Sequence, residues 1–152
     1  MQTDPLYSAY LGELYGIAFF TAFANKYSDD NHIHKWQRLI KVEQITAAKL
    51  KTGLKAIGLT CPNHVAEMEV KGLRDAEQWL ALDWETLVDT LAEWVEPYAL
   101  RYRQQAADAT EYRDLYLLVA EHEDAIWAFL HAEQKEAGSG VAILDAFIAQ
   151  HQ

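Results

Sequence analysis

The chain contains one cysteine, Cys61, in 152 residues, so no disulfide can form within it. That excludes a disulfide-stapled scaffold and favours a reducing compartment. Lys and Arg are in deficit, 13 against 23 Asp and Glu, for a formal net charge of −10. Neutralising nucleic-acid phosphates needs the opposite balance, and so does docking on anionic lipid, so neither is expected as a partner. The most apolar run, 17–24, falls well short of the roughly 20 residues of a spanning helix. Met1-Gln2-Thr3-Asp4-Pro5 lacks the basic start of a secretory signal. A soluble, cytoplasmic protein is expected. No glycine-rich phosphate loop occurs, and Cys61 beside Pro62 has no base near it in sequence to make it a nucleophile.

What is present favours helices. The three prolines and seven glycines lie mostly at segment ends, and Ala, Leu, Glu and Gln dominate between them. Hydrophobic residues make up 51% of the chain, too many for disorder, and five Trp, eight Tyr and five Phe supply bulk for a core. The length fits one domain, 1–152.

The apolar periodicity predicts four long helices and a short tail helix. The first covers about 5–27, capped by Asp4 with Pro5 in its first turn. It is apolar on nearly every side, as a helix buried among neighbours would be. Gly12 and Gly16, one turn apart, are expected to let another backbone come close. After the polar break Ser28-Asp29-Asp30-Asn31, the second helix covers about 32–57 and ends at Gly58. Its stripe is Trp36, Leu39, Ile40, Ala47, Leu50, Leu54 and Ile57, with Lys35 and other basic residues on the outer faces. The stretch 59–82 is irregular, with Cys61-Pro62-Asn63 and Gly72 as breakers, one short helix between them and another near 76–80. Its length suits a crossover from one end of a bundle to the other. The third helix covers about 83–107, with Asp83 as cap, Pro97 as a kink, and a stripe running from Trp84 through Leu91 to Tyr98 and Tyr102. The fourth covers about 111–136 and stops at Gly138-Ser139-Gly140. A tail helix covers 141–150.

Three ionisable residues fall in the middle of these apolar stripes: Glu13, Glu43 and His122. With about 100° per residue, Glu43 lies within roughly 60° of Trp36, Leu39, Ile40, Ala47, Leu50 and Leu54. Glu13 shares a face with Leu6, Tyr10, Ile17 and Phe20, and His122 is central among Leu115, Leu118, Val119, Ile126 and Phe129. Glu13 and Glu43 are nearly equidistant in sequence from Asp29. In an antiparallel pair their depths would differ by only about 3 Å. Two carboxylates close together in a dry core need a cation or a shared proton. Carboxylates with one imidazole suit Fe, Mn or Zn. Glu123, beside His122, is either a further ligand, an orienting group or a solvated flank. The bland alternative for the whole group is a satisfied polar cluster. Glu121 points outward. His32 and His34, near Asp29 and Asp30, and the isolated His64, His131 and His151 are expected to be exposed polar residues. Tyr10, near the level of Glu13, is either a core aromatic or a hydrogen-bond donor to a carboxylate.

The residues Gly12-Glu13, Val42-Glu43-Gln44-Ile45-Thr46 and His122-Glu123, with Ala125, Phe129 and Glu133, carry a resemblance to the ferritin-like superfamily. Rubrerythrin and the di-iron carboxylate proteins are its familiar members, and the wording here looks like an uncharacterised bacterial branch. Trp84, Pro97 and Tyr98 fit the third helix of that pattern. The resemblance implies an all-α, ferritin-like four-helix bundle with a long crossover between the second and third helices. It also implies metal held by Glu13, Glu43, His122 and Glu123, and oxidase or oxygenase chemistry. The di-iron pattern repeats Glu-x-x-His. This chain has none: Thr46 stands at the third place after Glu43, and Glu93 and Glu96 project away from their stripe. That departure points to a mononuclear, poorly occupied or lost site. The rivals are an interaction protein forming a homodimer and a bundle that binds a small organic ligand among its aromatic residues.

Overall fold

The computed structural model describes residues 3–152. Among them the regular elements are all helical: α1 Asp4–Lys26, α2 Ile33–Ala56, α3 Ala66–Glu77, α4 Trp84–Asp108, α5 Arg113–Lys135 and α6 Val141–His151, with a 3-10 turn Asp30–His32 ahead of α2. The described residues form two compact units, one ending at Ala81 and the other spanning Leu82–Gln152. No helix among them is long and apolar enough to cross a membrane.

In the first unit α1 packs against both α2 and α3. Aromatic rings fill the contact. Phe23 stacks on Trp36 with centroids 4.6 Å apart, and Phe19 meets Phe20 edge-on at 5.3 Å. Each large ring fully removed from water contributes about 1.5–3 kcal/mol. The termini follow local chemistry. Thr3 holds the cap position of α1, so Asp4 lies inside the first turn, where its charge faces the positive end of the helix dipole. Asp29 caps the 3-10 turn by accepting from the Asn31 N–H at 3.0 Å. At the end of α2, Gly58 takes φ +90°. Its N–H donates to the Lys55 carbonyl, and that of Leu59 donates to Leu54. These two bonds satisfy carbonyls that the helix end leaves open.

The stretch 59–82 is more regular than its breakers suggested. α3 runs unbroken through Gly72, and no separate helix forms at 76–80. The reason is packing. A Cβ on Gly72 would lie 2.6 Å from the Tyr15 carbonyl oxygen and 3.0 Å from Ala18 Cβ. Gly72 is the point where α3 rests on the α1 backbone. Gly12, by contrast, is exposed. Tyr10 donates to the Pro62 carbonyl at 2.7 Å and ties the connection to α1.

In the second unit α4 packs on α5, and α5 carries α6. Asp83 caps α4 as expected, its Oδ1 accepting from the Thr86 N–H at 2.8 Å. α4 continues through Pro97, but its buried line is Leu87, Val88, Leu91, Ala92, Val95 and Ala99. Tyr98 is therefore exposed rather than on the core stripe. A real helix drifts off a strict seven-residue seam, and here the small Ala92 and Ala99 take the inward places. After α5, Gly138 turns the chain with φ +96°. The buried Glu133 carboxylate accepts from the Gly138 and Gly140 N–H groups, at 2.9 and 2.7 Å. α6 then buries Leu144 and Phe147, and His151 Nε2 pairs with Glu121 at 3.0 Å.

Two outcomes follow. Gly72→Ala is expected to destabilise the protein by about 1–3 kcal/mol in chemical unfolding, because the added methyl meets backbone that cannot rotate away. This outweighs the roughly 1 kcal/mol that alanine gains over glycine in a helix. For Asp83, the Thr86 N–H favours the ionised carboxylate and lowers its pKa below the ordinary 3.8. The stabilisation is then fully present above that ordinary value and is lost as pH falls through the lower folded value. The difference in thermal midpoint between wild type and Asp83→Asn, followed by circular dichroism, is expected to hold from neutral pH downward and to narrow below 3.8.

Candidate metal centre

Glu13 comes from the middle of α1 and Glu43 from the middle of α2, two helices packed against one another. Both carboxylates are buried, at 3% and 5% exposure. Glu43 reaches toward α1 at Gly16, one turn beyond Glu13, where no side chain stands in its way. Thr46, one turn along α2 from Glu43, is fully buried, and its hydroxyl donates to the Val42 carbonyl at 3.0 Å. It serves its own helix, and a short hydroxyl side chain does not supply the histidine of a Glu-x-x-His ligand pair.

His122 comes from the middle of α5 and is 1% exposed. Its Nδ1 lies 3.5 Å from Glu123 Oε2, whose side chain is only 14% exposed. Glu123 is therefore not a solvated flank: its carboxylate lies at ion-pair distance from the imidazole. The Phe147 ring meets His122 edge-on with centroids 6.3 Å apart.

One ligand atom from each of Glu13, Glu43 and His122 lies within 4.8 Å of the other two, and all three residues are buried. Ligand atoms on one first-row ion, at about 2.1 Å from it, stand about 3–4 Å apart. Three buried donors within 4.8 Å of one another are a group that could hold one such ion. Its two carboxylate charges balance the ion, and two oxygens with one nitrogen suit Fe, Mn or Zn. Glu123 stands outside this compact group, beside His122.

The remaining candidates sort themselves by burial. His64 is exposed and pairs with Glu69 at 3.0 Å, and His34 and His131 are exposed as expected. His32 and Lys35 overturn their sequence assignment. His32 is buried, Lys35 is 3% exposed, and Lys35 Nζ lies 3.0 Å from His32 Nδ1. His32 Nε2 in turn lies 3.2 Å from Asp29 Oδ2. A lysine three residues beyond a histidine, on one side of a helix start, is the signal that was available for this pairing. His151 is likewise held by Glu121 rather than free on the surface.

The chain matches no family model, no curated protein and no solved structure. Its chemistry is therefore read from its own residues.

Cys61 bears this out in the negative. It is 3% exposed, and burial pushes its thiol pKa up, against a smaller opposing effect of Lys51. The thiol, not the thiolate, is the form at neutral pH, and only the thiolate is a good nucleophile. Iodoacetamide at neutral pH is expected to leave Cys61 unmodified in the native protein and to label it fully in denaturant, as read by mass spectrometry.

Proposed function

We propose that the protein is a metal-binding helical bundle of the ferritin-like type, in which Glu13, Glu43 and His122 hold one divalent ion. The observation that carries this reading is the buried Glu-Glu-His group with its ligand atoms within 4.8 Å. The ion is Fe, Mn or Zn, as the oxygen and imidazole donors suit. Glu123 acts through His122. With Oε2 3.5 Å from Nδ1, its charge favours a proton on that nitrogen and so Nε2 as the ligand atom, the side on which a carboxylate behind a metal-bound imidazole acts. A bound iron or manganese would supply redox chemistry toward dioxygen or peroxide. The chain's own part is to provide charge balance from two carboxylates, a fixed imidazole and a site screened from bulk water. With Thr46 in the place of a second histidine, the ligand set is reduced and favours one ion over two.

A second reading has one observation in its favour. A groove of about 630 Å³ in the first unit is lined by apolar Leu14, Ile17 and Leu73 and by polar Gln44, Asn63 and Glu69. That mixture suits a small organic ligand. Such a ligand co-purifying with metal-free protein would favour this reading.

Elemental analysis of freshly purified protein decides the first reading. Near-stoichiometric metal is expected in the wild type, with loss in Glu43→Ala and in His122→Ala. Less than about a tenth of an equivalent, even after reconstitution with Fe(II), Mn(II) and Zn(II), would sink it.

A further inference from the structure

We infer that Gly16 is the positioning residue of this centre: the side chain missing at this place on α1 is the space that the Glu43 carboxylate occupies. A Cβ built on Gly16 would lie 2.5 Å from both Cδ and Oε1 of Glu43 and 2.8 Å from Oε2. These are the three nearest heavy atoms, so the space belongs to that head group. Gly72 serves a different end, since its Cβ would meet the α1 backbone.

The magnitude decides what a substitution would do. Ordinary contact at a Cβ begins at 3.4 Å. A methyl at 16 would therefore drive the carboxylate back by roughly 1 Å. Ligand distances to a first-row ion tolerate only about 0.2 Å. The displacement is several times that tolerance, so Glu43 would leave the common position it shares with Glu13. Gly16 lies three residues beyond Glu13 on the same side of α1, so its gap opens toward the other carboxylate. Glycine is a poor residue for a helix interior. Its presence at a buried place in α1 is explained by the group it admits.

The inference rests on reading Glu43 as a metal ligand, but its packing half can be tested without any metal. The experiment compares wild type, Gly16→Ala, Glu43→Ala and the double variant. In chelator-treated protein, Gly16→Ala is expected to lower the thermal midpoint when Glu43 is present. It should raise the midpoint in the Glu43→Ala background, where alanine's helix propensity is all that remains. By titration calorimetry with Zn(II), Gly16→Ala should bind about tenfold more weakly than wild type, or worse. Failure of the single variant to fold while the double variant folds would support the inference equally. A midpoint that rises in both backgrounds, two variants that both fail to fold, or unchanged Zn(II) affinity would overturn it. Wild type that binds no Zn(II) while the reversal of sign persists would remove the metal reading and leave Gly16 as the residue that places Glu43.

Discussion

Burying a carboxylate without compensation is among the costliest things a small helical protein can do. The interior of this chain buries Glu13, Glu43 and Glu133, and it is organised around how each is compensated. A charge taken out of water must find an opposite charge, hydrogen-bond donors or a metal. Glu13 and Glu43 lie where α1 packs on the apolar face of α2, and they arrive at nearly the same depth. The buried positions of the two helices are otherwise mostly apolar, among them Leu6, Phe20, Trp36 and Leu50. The metal reading follows from the grouping of both with His122, whose ligand atoms lie within 4.8 Å of theirs.

The other buried polar groups show how differently the same cost is met. Glu133 closes α5 by accepting backbone N–H groups from the glycine turn that follows, so its negative charge sits on oriented dipoles. His32 lies between Lys35 and Asp29, a line of alternating donors and acceptors at the start of α2. Both arrangements are local, drawn from residues within seven positions of one another. Their partners are neighbours in sequence, and they stabilise helix ends. The Glu-Glu-His group is of another kind. Its members come from three helices far apart in the chain, and no capping role accounts for them.

Glycine does several unrelated jobs here, and only coordinates separate them. At Gly58 and Gly138 the backbone takes a positive φ that side chains with a Cβ resist. Gly72 lets one helix lie on another, and Gly16 makes room for a carboxylate. By pattern alone, Gly72 reads as a breaker and Gly16 as a backbone contact. The same limit explains Lys35: a basic residue near a helix start is normally solvated, and burial depends on what the rest of the unit presses against it.

The amino-acid sequence by itself determined the helical content, most helix ends, the Asp83 cap and the central place of Glu13, Glu43 and His122 on apolar stripes. Those are consequences of a period of about 3.6 residues and of local hydrogen-bond chemistry, both of which are written along the chain. Tertiary structure alone decided that Glu123 lies beside the imidazole, that α3 is continuous, and that the space of an absent methyl at 16 is taken by the Glu43 carboxylate. Those depend on distances across helix contacts, where a shift of an ångström separates a clash from a fit. Periodicity has no information at that scale.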